Sequence, residues 1–232
     1  MDIMFFVNKD HTKVNTFRAL MSFGIIALIC IFCMLFVDRT VLNIIYTEQP
    51  EKIRLLFEKI TRLGKGDLWI IGSLCLAVLG FFIKHFTASP KTRNRLNSIR
   101  VYSLFILSSI LFSGALLNII KTIIGRMRPR YFITEGLYGF QPFNFDFGMN
   151  TFPSGHSQTI WAVMTALIIL FPRYALIFVP FATLVAASRI LVSAHFVSDV
   201  LMGSYMGFLL TFYVYTWFVR KGYISNKLKN EE

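Results

Sequence analysis

The chain has 232 residues, of which 55% are hydrophobic and 16% charged, with a mean hydropathy of +0.60. Soluble domains carry about 25% charged residues, so this deficit, with 25 phenylalanines, excludes a disordered chain and an ordinary soluble globule and points to a polytopic membrane protein. The formal net charge of +12 would suggest nucleic acid in a soluble chain; in a membrane protein it fits basic cytoplasmic segments, and no nucleic-acid partner is expected.

Six charge-poor stretches follow along the chain. Residues 19–37 lie between Arg18 and Asp38, 68–83 between Asp67 and Lys84, and 101–120 between Arg100 and Lys121. Residues 157–172 lie between His156 and Arg173, 174–188 between Arg173 and Arg189, and 200–219 between Asp199 and Arg220. A helix crossing the hydrocarbon needs about 20 residues. The first, third and sixth stretches qualify outright. The others need end residues such as Lys84 or Arg189 inside the helix, the alternative being a buried helix or a re-entrant segment. The expected architecture is all-α: a polytopic membrane helix bundle with six transmembrane helices, a single domain over residues 1–232. The first stretch reads as an uncleaved anchor, because Asp38-Arg39 stands where a signal peptide has small residues. Cys30, Cys33 and Cys75 lie inside apolar runs and form neither a disulfide framework nor a metal pattern.

Six spans put both termini on one side. That side collects 13 basic residues against four acidic ones, including the acid-free stretch 84–100, and is expected to be cytoplasmic. Loop 39–65, with six basic residues, runs against the bias. Within it, Ile53, Leu56, Phe57, Ile60 and Leu63 recur at helical spacing, so 51–63 reads as an amphipathic helix lying at the interface or packed on the bundle. Segment 131–152, rich in Phe and Gly, is expected to form a partly apolar lid or wall.

Ionisable residues at membrane depth are costly and rarely idle. Here they collect at span ends on the far side: Lys121 and Arg128 after the third span, His156 opening the fourth, Arg189 closing the fifth, His195 and Asp199 opening the sixth. Three cations converging without matching acids need an anion, and Arg and Lys suit phosphate oxygens. Ser154 and Gly155 precede the fourth span, where free backbone N–H groups and the helix dipole add to an anion site. Neither a carboxylate cluster for Mg²⁺ nor a Cys/His set for Zn²⁺ accompanies them, so no metal or cofactor is expected. His195 and Asp199, four apart, share a helical face. A carboxylate on one ring nitrogen leaves the other as nucleophile, and His156 is then placed to be the general acid. Each residue also has a plain alternative: Lys121 or Arg128 as a snorkelling anchor, His195–Asp199 as a structural hydrogen bond, Ser154 as an N-cap. Arg126 and Arg130 read as lipid-headgroup or lid contacts, and His11 and His85 as surface residues on the opposite side.

Three segments together resemble the type 2 phosphatidic acid phosphatase superfamily: Lys121, six residues, Arg128-Pro129; then Pro153-Ser154-Gly155-His156; then Ser188-Arg189, five residues, His195, three residues, Asp199. The motif core spans 121–199. The resemblance implies a helical bundle that hydrolyses lipid phosphates or diphosphates without metal, through a phosphohistidine. It implies His195 as nucleophile, Asp199 as its orienting partner and His156 as general acid, with Lys121, Arg128, Ser154, Gly155 and Arg189 holding the phosphoryl oxygens. The soluble haloperoxidases of the same superfamily do not fit the apolar spans.

A site at headgroup depth calls for a lipid phosphate whose tails stay in the bilayer. Candidates are lipid A 1-phosphate, undecaprenyl diphosphate and phosphatidylglycerophosphate; the run RPRYF…FPSGH looks most like the lipid A 1-phosphatase branch. The expected location is the bacterial cytoplasmic membrane, with cytoplasmic termini and an outward-facing site, and no obligate protein partner. An anion or lipid transporter would instead carry charges near mid-span and paired broken helices. A non-catalytic lipid-phosphate-binding protein would not need His156, His195 and Asp199 together.

Overall fold

The computed structural model describes residues 3–8, 12–86 and 89–224. Asp2, Lys9, Asp10, Lys227, Lys229, Glu231 and Glu232 of the charge bias lie outside the described residues, as do His11 and the side chain of His85. Helix α1 (Thr16–Phe32) passes through a π-helical turn at Cys33–Val37 into α2 (Asp38–Glu48). Next come α3 (Glu51–Ile60), a 3₁₀ turn (Thr61–Gly64), α4 (Gly66–Phe86) and α5 (Pro90–Ile124). A short α6 (Pro129–Glu135) and a long connection lead to α7 (Gly155–Leu170), α8 (Ala175–Leu191) and α9 (Val197–Arg220).

All six apolar stretches are helical. Among the described residues, five helical segments are long and apolar enough to cross a membrane, and α7, at 16 residues, is the shorter sixth. At 1.5 Å per residue α7 spans about 24 Å, less than the roughly 30 Å of hydrocarbon. It is the inner helix: most of its residues are buried, and α4, α5, α8 and α9 pack around it. The lipid-facing helices show the reverse pattern, with Phe17 74%, Ile71 60% and Leu176 89% exposed, as expected where lipid replaces water as the solvent. The amphipathic stretch is α3 plus the 3₁₀ turn; Ile53, Leu55 and Leu56 of α3 are exposed, while Phe57 is half-buried and Ile60 packs on the core beside α8. The basic stretch after α4 is largely the exposed start of α5, which is 35 residues long and extends past the apolar layer.

Small residues bring the inner helices together. A Cβ on Gly203 would land on the carbonyl oxygen of Ser154, and one on Gly207 on that of Gln158. Glycines at i and i+4 let α9 approach α7 backbone to backbone, the usual way membrane helices pack closely without large side chains. Polar side chains join α7 to α5: Gln158 Nε2 donates to Ser113 Oγ (2.5 Å), both groups being buried. The close α7–α9 crossing seats the Ser154 N–H on the carbonyl of Asp199 (2.9 Å), which brings the second and third motif segments together.

Candidate active site

The site forms where α5 and α8 end and α7 and α9 begin. Gly125 closes α5 in the left-handed conformation (φ 57°), four residues after Lys121. A Cβ there would strike the Gln141 carbonyl, so the position needs glycine on both counts. The chain then runs extended into Pro129, the first residue of α6, and this turn sends Arg126 inward.

Arg126 is not a headgroup or lid contact; it is 1% exposed and sits at the centre of a buried polar network. Its Nη1 donates to Asp199 Oδ1 (2.5 Å) and Ser198 Oγ (2.7 Å), and its Nη2 to Asp38 Oδ2 (2.8 Å) and the Tyr138 hydroxyl (2.6 Å). The guanidinium also lies 4.3 Å from the centre of the Phe196 ring. Burial opposes its charge, but Asp199, Tyr138 and Asp38 outweigh burial and hold it above the ordinary arginine range. Asp38 follows the π turn of the first span and is itself buried. It accepts the Ser198 N–H (3.0 Å) and hydroxyl (2.5 Å), tying the first span to the start of α9. A π turn at such a junction is a common way to redirect one side chain. Arg130 is exposed and its Nη2 donates to the neighbouring Tyr131 hydroxyl (3.2 Å), as a surface residue would.

His195 lies in the turn between α8 and α9 and is 3% exposed. Its Nδ1 is 3.0 Å from Thr151 Oγ1 and 3.4 Å from Asp199 Oδ2. Asp199 Oδ2 accepts from Thr151 Oγ1 (2.8 Å) and from the Phe196 N–H (2.9 Å). Burial, the largest influence, lowers the His195 pKa to about 3; the Asp199 carboxylate pulls it up, and nearby Lys121 and Arg189 push it down.

The cations surround the two imidazoles. His156, the second residue of α7, has Arg189, Lys65, Lys121 and Arg128 as charged neighbours, and His195 shares Lys121 and Arg189 with it. Lys121 Nζ donates to the Asn150 carbonyl (2.6 Å). Arg189 Nη1 donates to Thr61 Oγ1 (2.7 Å), while its buried Nε has no partner among the described residues. The Arg128 guanidinium is lowered from the usual arginine range by burial and by Arg130, with Asp199 opposing. Ser154 holds the N-cap position of α7 without capping it; its hydroxyl accepts from Ser157 Oγ (3.0 Å) and does not cover the amides of the first turn. Lys121, Gly155 and His156 line one end of a cavity of about 420 Å³ whose apolar end is formed by Ile70, Ile110 and Leu111. A phosphoryl group at the polar end would meet the Lys121 ammonium, the His156 imidazole and the start of α7, with its apolar portion along α4 and α5.

The eight expected residues, Lys121, Arg128, Ser154, Gly155, His156, Arg189, His195 and Asp199, are thus gathered at one end of the bundle. Four residues at the site carried no such expectation. Arg126 was assigned to the surface, and Asp38 counted only as the end of a span. Thr151 stands two residues before Pro153 and gave no signal of its own. Lys65 reaches the site because the 3₁₀ turn packs on α7: a Cβ on Gly64 would lie 3.0 Å from His156 Cβ.

A family model described as the PAP2 superfamily matches residues 102–223. A lipid A 1-phosphatase of Rhizobium etli is 35% identical, over 73% of this chain and 74% of that protein. One of Rhizobium johnstonii is 31% identical, over 69% and 66%. Among solved structures, the transmembrane PAP2-type phosphatidylglycerolphosphate phosphatase of Bacillus subtilis superposes with a TM-score of 0.62 at 22% identity, covering 88% of this chain and 96% of that one. Aquifex aeolicus LpxE gives 0.50 at 19% identity, covering 77% and 94%. These two share the fold.

Proposed function

The chain belongs to the PAP2 superfamily, and on that footing we propose that this membrane lipid phosphatase removes the 1-phosphate of lipid A through a phosphohistidine on His195. The observation that carries the reaction is electrostatic. Lys121, Arg128 and Arg189 cluster around the two imidazoles, whereas the carboxylates of Asp38 and Asp199 are already engaged by Arg126. The unpartnered Nε–H of Arg189 adds a buried donor in want of an oxygen. A phosphate dianion supplies both the charge and the acceptors.

The reaction follows from those roles. Lys121, Arg128, Arg189 and the amides behind Ser154 hold the equatorial oxygens, where charge spreads in the transition state. The Nε2 lone pair of His195 forms a bond to phosphorus as the bond to the lipid oxygen breaks. The departing oxygen takes a proton from His156. Water then attacks the phosphohistidine, His156 takes its proton, and the N–P electron pair returns to Nε2, releasing inorganic phosphate.

Lipid A 1-phosphate is favoured over undecaprenyl diphosphate and phosphatidylglycerophosphate by the names of the two Rhizobium relatives. The whole chain acts as one membrane-embedded unit in a bacterial cytoplasmic membrane, with cytoplasmic termini and the site facing outward; the charge bias supports this orientation. Purified protein incubated with each of the three lipids, followed by thin-layer separation, tests the assignment. Loss of the 1-phosphate from lipid A is expected, and hydrolysis of another lipid only would overturn the substrate. His195→Ala is expected to abolish phosphate release from a folded protein, and persisting turnover would refute the nucleophile.

A further inference from the structure

The structure assigns Thr151 a positioning part in this reaction: its hydroxyl stands between His195 and Asp199, sets the proton on Nδ1 and so leaves the Nε2 lone pair for phosphorus. This rests on His195 being the nucleophile. The superfamily pattern places Asp199 directly behind His195, but here the direct Nδ1 to Oδ2 separation is 3.4 Å, longer than a well-formed hydrogen bond. Thr151 Oγ1 makes the two shorter contacts, 3.0 Å to Nδ1 and 2.8 Å to Oδ2.

Counting protons decides the direction of each contact. Asp199 is paired with Arg126 and, as a carboxylate, can only accept. The single Thr151 hydroxyl proton therefore points to Oδ2. The hydroxyl oxygen must then accept at its other contact, so Nδ1 is the donor. The opposite tautomer would set two lone pairs face to face at one of these contacts. The order is Nδ1–H to Oγ1, then Oγ1–H to Oδ2.

The hydroxyl is also held in place. Thr151 is fully buried, and its N–H donates to the Arg126 carbonyl (3.0 Å). The preceding carbonyl, of Asn150, accepts from Lys121 Nζ (2.6 Å), the ammonium assigned above to the phosphate. As Nε2 bonds to phosphorus, the ring gains positive charge and the two linked hydrogen bonds polarise toward the Asp199 carboxylate. No proton leaves Nδ1.

Four variants of the full chain test this, assayed for phosphate release in detergent: Thr151→Val, Thr151→Ser, Thr151→Ala and His195→Ala. Loss of a group that orients a reacting side chain costs roughly 10- to 100-fold in activity. Thr151→Val is expected to lower kcat by that factor with KM, and competitive inhibition by inorganic phosphate, unchanged, because the cations that bind phosphate are untouched. Thr151→Ser is expected to keep most of kcat. The Ser and Ala variants both lack the methyl group, so their comparison isolates the hydroxyl even if Val disturbs the fold. Equal kcat in Ser and Ala, or a loss that falls on KM alone, overturns the assignment. His195→Ala separates the two ideas: if it is inactive while Thr151→Ala is fully active, only the Thr151 role fails. If it turns over, the nucleophile itself is wrong.

Discussion

Arg126 is the residue whose removal has the most calculable consequence. Arg126→Met leaves Asp38 and Asp199 buried without their cation and removes all four hydrogen bonds of the guanidinium. Taking one partner from a buried ion network costs about 3–5 kcal/mol, most of it from the charge left behind. At roughly 2–4 °C per kcal/mol for a protein of this size, the midpoint should fall on the order of 10 °C. Asp38→Asn gives the stricter test, because its sign depends on background. With Arg126 present, it breaks a 2.8 Å ion pair and puts an amide on an oxygen that accepts from two donors, so it destabilises. With Arg126→Met, the same change removes one of two uncompensated carboxylates, so it should recover part of the loss. Thermal unfolding of the four proteins in one detergent, at one pH, measures the cycle. Additive effects, or Arg126→Met within about 2 °C of the parent, would refute the reasoning that Arg126 compensates both carboxylates.

Two further outcomes follow from the same site. His195 is held near pKa 3 against an ordinary 6.5, so the folded state binds fewer protons than the unfolded one below pH 6.5. Stability from this group is complete above 6.5 and falls as pH drops toward 3, by up to about 1.4 kcal/mol per unit. The unfolding midpoint should therefore drop between pH 7 and pH 5, and His195→Gln should flatten that slope; an unchanged slope would show that His195 is not the group responsible. Because Arg126 occupies both nearby carboxylates, phosphate release should survive EDTA, and a loss restored by Mg²⁺ would contradict the cation cradle.

Much of this protein was legible along the chain. Each apolar stretch between charges became a helix, because a backbone in lipid must satisfy its own hydrogen bonds within the segment. His156, Arg189, His195 and Asp199 were placed by lying at helix ends, where spacing along the sequence is close to spacing in the fold. The same local logic misplaced Arg126: by position it is one more basic residue near a span end, like Arg130. Only tertiary structure distinguishes them, since the partners that bury Arg126 come from Asp38, 88 residues earlier, and from Asp199, 73 residues later. Thr151 was silent for the same reason, its hydroxyl being defined by His195 and Asp199, 44 and 48 positions away. Hydropathy is a property each segment carries by itself, so it can be read from the chain. A buried hydrogen-bond partnership exists only once packing has expelled the competing lipid and water, and that is decided by the crossing of α7 and α9.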